Sequence, residues 1–141
     1  MPSYRQRKVE SVARREPVFA RADETLRTVA HALWTENVSA LVVGDALRPL
    51  GIISERDVVS QIGQGADLDA VTAGQVMSSY LIAAQVGDTL DDAAYQMLEN
   101  AIRHLPVMDG EGRVVGMISV RDLLRPLLSD GSGGPEPAHD G

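Results

Sequence analysis

The sequence predicts a mixed α/β (α+β) fold: two pseudo-symmetric β-α-β-β-α repeats packed as one module. Three observations carry this. The chain repeats itself at a nearly constant offset. Each copy alternates short apolar runs with stretches of helical spacing. The 141 residues, 44% of them hydrophobic, suffice for one sizeable core.

Shifting the chain by 64 residues places Val12 on Val76, Val18 on Ile82, Thr25-Leu26 on Thr89-Leu90, Ala30 on Ala94, Leu33 on Met97, Leu41 on Leu105 and Asp45 on Asp109. A one-residue insertion then moves the offset to 65, and residues 51–57 (Gly-Ile-Ile-Ser-Glu-Arg-Asp) fall on 116–122 (Gly-Met-Ile-Ser-Val-Arg-Asp). The copies run from 9 to 62 and from 73 to 128, separated by a linker at 63–72 whose glycines and aspartates suit a surface loop. A basic segment at 1–8 precedes them. The Gly-, Pro-, Ser- and acid-rich residues 129–141 read as a disordered tail.

Within each copy a short apolar stretch (Val18-Phe19; Leu81-Ile82) opens the unit as a strand. An acidic turn (Asp23-Glu24-Thr25; Asp88-Thr89) leads into an amphipathic helix. Leu26, Val29, Ala30 and Leu33 mark its apolar face in one copy; Leu90, Ala93, Ala94 and Met97 do so in the other. A β-rich run follows at 40–43 or 105–108, then a turn at Asp45 or at Asp109-Gly110-Glu111-Gly112. A second strand ends at Ile53 or Ile118, and a last helix opens at Ser54 or Ser119. Pro126 should kink or end the second of these helices. One copy alone would bury too little surface, so the two are expected to pack sheet to sheet.

Composition excludes several functions. The net charge is −7 and aromatics make up 4%, which argues against a general nucleic-acid binder. Arg5, Arg7, Lys8, Arg14 and Arg15 crowd the N-terminus; a solvated segment is the plain reading, and a basic arm touching nucleic acid or a membrane surface is the other. No apolar run reaches membrane-spanning length. There is no cysteine, so disulfides, thiolate metal sites and cysteine nucleophiles are excluded, and a cytoplasmic location is expected. No Gly-x-Ser-x-Gly elbow, HExxH or P-loop occurs, and Gly63-Gln64-Gly65 lacks the third glycine and preceding strand of a dinucleotide fingerprint. His31, His104 and His139 are too scattered for a metal cluster. His104 reads first as a packing or solvent residue, and Trp34 as cover for the core or for a subunit contact.

The twice-repeated Gly-apolar-apolar-Ser-x-Arg-Asp carries the functional argument. Serine followed three residues later by an acid is a helix capping box. The same motif sits at a helix start, where phosphate oxygens are well placed, and pairs an arginine with each aspartate. A carboxylate there could accept both hydroxyls of a ribose. Both readings can hold together.

These residues resemble the signature of the cystathionine-β-synthase-type (CBS) domain. Residues 102–107 (Ile-Arg-His-Leu-Pro-Val) look like that family's second signature; 38–43 of the first copy lack its proline. The resemblance spans 9–128 and identifies the chain with stand-alone CBS pairs, or Bateman modules. It implies two clefts between the repeats that hold AMP, ATP, NAD or S-adenosylmethionine, with ribose on Asp57 in one and on Asp122 in the other and Ser54 and Ser119 nearby. It also implies phosphate contacts from Arg103, Arg56 and Arg121, the last two reaching across to the opposite cleft. The expected function is regulatory, without catalysis. A homodimer formed through the helices follows from the same resemblance and from the surplus apolar residues Trp34, Leu98, Val59 and Leu124; the regulated protein is not named by the sequence. The alternative is a ligand-free interaction module whose motifs are only caps. Because Arg103 stands in the second copy where the first has Ser39, the Asp122 cleft is expected to bind better.

Overall fold

The computed structural model describes residues 4–14 and 16–130. The first copy contributes β1 (Phe19–Ala20), α1 (Leu26–Thr35), β2 (Ala40–Gly44), β3 (Pro49–Ser54) and α2 (Glu55–Gly63). A short helix, α3 (Ala73–Val76), opens the second copy. It continues with β4 (Ala84–Gln85), α4 (Leu90–Asn100), β5 (His104–Met108), β6 (Val114–Ser119) and α5 (Val120–Asp130). The β-α-β-β-α order is therefore present twice, in a mixed α+β architecture with two three-stranded sheets, β1-β2-β3 and β4-β5-β6.

Local chemistry explains the helix starts. Thr25 caps α1 through its side chain, which accepts from the Thr28 N–H at 3.3 Å. Thr89 caps α4 in a full capping box with Asp92. Of the expected apolar stripes, Leu26, Val29 and Leu33 on α1 and Leu90, Ala93 and Met97 on α4 are buried, while Ala30 and Ala94 at the edge of each stripe are half-buried. In the first sheet, β1 runs parallel to β2, with Phe19 opposite Val42, and β2 pairs antiparallel with β3, with Leu41 opposite Ile53. The α1 stripe packs on Leu41, Val43 and Ile53, and Val58 of α2 joins the same cluster.

Two details differ from the sequence expectations. The opening strand of the second copy lies at Ala84–Gln85 rather than at Leu81-Ile82, because its position is set by parallel pairing with Val107 and Met108. Apolarity alone could not reveal that register. In addition, of the two outcomes expected at Pro126, an end of the helix is not seen: α5 runs on to Asp130 with the proline inside it. The Tyr4 hydroxyl donates to the Leu123 carbonyl three residues before the proline, beside the point where the ring removes a helical donor.

Two compact units emerge, out of phase with the repeats. One is Glu16–Ile82 with Gly112–Val114; the other groups, among the described residues, 83–111 and 115–130 with 4–14. Each unit thus holds the body of one copy and the leading segment of the other. Within the first unit the Ala73 N–H donates to the Glu24 carbonyl at 2.8 Å and the Leu26 N–H to the Val71 carbonyl at 2.9 Å. Sixty-four residues away, the Val9 N–H donates to the Asp88 carbonyl at 2.9 Å and the Leu90 N–H to the Arg7 carbonyl at 2.8 Å. Val9 and Ala73 are both fully buried. The backbone at Arg7 and Val9 is therefore tied down, while Arg5, Lys8 and Arg14 keep exposed side chains.

Candidate functional site: two Ser-x-Arg-Asp helix starts

The two motifs fold into the same device. In the first unit β3 ends at Ser54, and its backbone N–H donates to Asp57 Oδ2 at 2.8 Å. Ser54 Oγ lies 3.0 Å from that same oxygen, and the Asp57 N–H returns a hydrogen bond to Ser54 Oγ at 3.3 Å. In the second unit the Ser119 N–H donates to Asp122 Oδ2 at 2.8 Å, Ser119 Oγ is 3.1 Å from it, and the Asp122 N–H donates to Ser119 Oγ at 3.3 Å. The capping reading of both motifs is correct.

Capping uses only one oxygen of each carboxylate. Among the described residues, Oδ1 of Asp57 and Oδ1 of Asp122 accept no hydrogen bond. Both aspartates are half-buried at the first turn of their helices. A carboxylate oxygen has two lone-pair sites, so each Oδ1 can accept from a pair of adjacent hydroxyls while the cap persists. The helix N-terminus adds partial positive charge and favours anions beside it.

The cations sort into the two units. Arg121 precedes Asp122 at the start of α5, and Arg56 precedes Asp57 at the start of α2; both side chains are exposed. Arg103, also exposed, is joined to the same helix start, since its carbonyl accepts the Val120 N–H at 3.0 Å. The equivalent bond in the first unit runs from the Glu55 N–H to the Ser39 carbonyl at 2.9 Å. The second unit therefore assembles Ser119, Asp122, Arg121 and Arg103 around one helix start, and the first assembles Ser54, Asp57 and Arg56 around the other, with serine at the place of Arg103.

Sequence reasoning missed why the motif begins with glycine. The residue runs beside the leading segment of the opposite copy: Met117 and Arg14 exchange backbone hydrogen bonds at 2.8 and 2.9 Å, and Ile52 and Ser78 do so at 2.9 and 3.0 Å. A side chain at Gly51 would strike the Ser78 carbonyl and the Met77 side chain. The signal was available in the offset of 64, which places Arg14 on Ser78.

His31 is exposed on α1, His104 is half-buried at the start of β5, and His139 lies outside the described residues. Among the described residues no group of three or more metal-ligating side chains comes together, and no helix is long and apolar enough to cross a membrane.

A duplicated mixed α/β unit with a Ser-x-Arg-Asp cap where β3 meets α2 and again where β6 meets α5 is the arrangement of a CBS pair. The CBS domain profile matches residues 9–64 and 73–129, and the chain belongs to that family. A Methanopyrus kandleri relative, the uncharacterized protein MK0525, is 31% identical over 119 residues, which are 83% of this chain and 61% of that protein; this chain thus spans less than two thirds of that relative. The solved CBS domain protein PAE2072 from Pyrobaculum aerophilum, complexed with AMP, superposes with a TM-score of 0.76 at 31% identity, covering 82% of this chain and 88% of that one. The CBS pair of protein MJ0100, in complex with 5-methylthioadenosine and S-adenosyl-L-methionine, gives a TM-score of 0.78 at 25% identity, covering 85% and 98%.

Proposed function

We propose that this chain is a cytoplasmic regulatory module that binds an adenosine-containing ligand and, without catalysing a reaction, alters the activity of a partner protein. The observation that carries this is the division of labour within each motif carboxylate, with Oδ2 holding the helix cap and Oδ1 left over for a ribose at a helix N-terminus. The AMP on PAE2072 and the adenosyl compounds on MJ0100 support the ligand class. AMP, ATP, NAD and S-adenosylmethionine share the adenosine that Asp57 and Asp122 would grip, with Ser54 and Ser119 nearby; Arg56, Arg103 and Arg121 supply charge for a phosphate. The ligand regulates by binding two poses of the module with different affinity.

A thermal-shift panel of these four ligands tests the reading. A ligand at a hundred times its dissociation constant adds about 2.7 kcal/mol of stability. A flat panel leaves the ligand-free interaction module, with the motifs acting as caps alone.

The module would work as a homodimer. Trp34 on α1 and Leu98 on α4 are 84% and 82% exposed and lie 64 residues apart, at the same place in the two copies. Val59 and Leu124, a second matched pair, are 64% and 50% exposed. An exposed apolar face of this kind suits a second copy. Light scattering at micromolar concentration should give twice the chain mass, and Trp34→Glu should reduce it to the monomer value.

A further inference from the structure

The two units are not equally open. In the second, a space of about 290 Å³ is walled in part by Val107 of β5, by Val115 and Gly116 of β6 and by Ala13 of the leading segment. It continues the site at the Asp122 helix start. Gly116 stands three residues before Ser119 on the same strand, about 10 Å away at the rise of an extended chain. That is the reach of one nucleoside, so a ribose held by Asp122 would bring its base against these largely apolar walls.

In the first unit the matching place is taken. Met77, 64 positions after Ala13, lies over Gly51, with Sδ 2.8 Å and Cγ 3.1 Å from where a Cβ would stand. It also packs against the core of that unit. Ala13 offers only a methyl, 3.5 Å from the matching point on Gly116.

We propose, on the adenosine reading above, that Met77 is a plug: the chain takes one adenosine-containing ligand, in the unit of Ala13 and Asp122, and none in the unit of Met77 and Asp57. Met77 selects by shape and not by charge. The Asp57 cap has the same geometry as the Asp122 cap, and Arg56 stands beside it as Arg121 does beside Asp122. Ribose and phosphate would thus find partners in both units, while the base finds room in one. A methionine chain is flexible, but swinging it aside forfeits the contacts it makes with the core. This asymmetry is independent of Arg103 and acts in the same direction.

Titration calorimetry of the full chain with AMP counts the sites. The parent should bind one AMP per chain and Met77→Ala two. Ala13→Met should weaken the single site at least about tenfold. The double exchange, Ala13→Met with Met77→Ala, should restore one tight site, now sensitive to Asp57→Ala and indifferent to Asp122→Ala. A merely structural role for Met77 would move stability and leave these counts alone. If Met77→Ala does not fold, Met77→Val keeps part of the packing and must open the second site instead. Two sites in the parent, or a count that stays at one when Met77 is shortened, overturns the plug and leaves the adenosine reading standing. No heat with AMP, ATP, NAD or S-adenosylmethionine, in the parent or in the Met77 variants, overturns both.

Discussion

Gly116 lies flat against the Arg14 carbonyl: a Cβ built on it would stand 2.8 Å from that oxygen. The oxygen is backbone and is already held by the Met117 N–H at 2.9 Å, so it cannot swing aside as a side chain would. Gly116→Val should therefore cost about 1–3 kcal/mol through overpacking. In urea the midpoint should fall while the slope is unchanged. A variant as stable as the parent would show that the leading segment is not clamped there.

Asp122→Ala and Asp57→Ala separate the two tasks of the motif. Each should lose about 0.5–2 kcal/mol of stability with its cap, and the two losses should be similar because the boxes share their geometry. Binding should not be similar. With Arg103 tied to the Asp122 helix start and Ser39 at the matching place, calorimetry with AMP should show at least about a tenfold loss for Asp122→Ala, or about 1.4 kcal/mol, and less for Asp57→Ala. Equal stability losses with unchanged binding would leave only the caps.

Both amphipathic helices are followed by a left-handed residue, Asn37 at φ 53 and Ala101 at φ 52. Asparagine tolerates that conformation; alanine carries a cost of about 1–2 kcal/mol there. Ala101→Gly should stabilise the protein by about 0.5–1 kcal/mol, the relief being partly offset by a freer unfolded chain. A lower melting temperature for this variant would contradict the assignment.

The Thr89 cap makes acid stability specific. The Thr89 backbone N–H, then its hydroxyl, hold the Asp92 carboxyl below the ordinary range, and Lys8 adds a smaller attraction. Asp69 is lowered likewise by its hydrogen bond to Arg27. A carboxylate depressed in the folded state contributes stability above its unfolded pKa of about 3.9 and loses it as pH falls through the lower folded value. Stability should therefore drop below about pH 4, and Asp92→Asn should flatten that drop without changing the profile near neutrality.

Much of this was legible because periodicity and internal repetition are local or self-referential signals. The stripes Leu26–Val29–Leu33 and Leu90–Ala93–Met97 follow from spacing alone, and the Ser54 and Ser119 caps follow from a serine three residues ahead of Asp. The strand Ala84–Gln85 did not, since a two-residue strand is defined by its partner. The partnership of Val9 with Asp88 and of Ala73 with Glu24 was hidden for the same reason: a repeat search aligns copies but is silent on which copy a segment completes. The single spare oxygen on Asp57 and Asp122 is a matter of geometry beyond any motif.

The exchange of leading segments bears on how such a chain comes to fold at all. A polypeptide with one copy could complete its unit only by borrowing the segment of another molecule, which is a bimolecular act that fails on dilution. Here residues 63–72 join lender and borrower, so the loan is reciprocal and internal. An encounter that would depend on concentration becomes a loop closure whose cost rises only slowly with loop length. The tether between the copies therefore sets the local concentration at which the two halves complete each other.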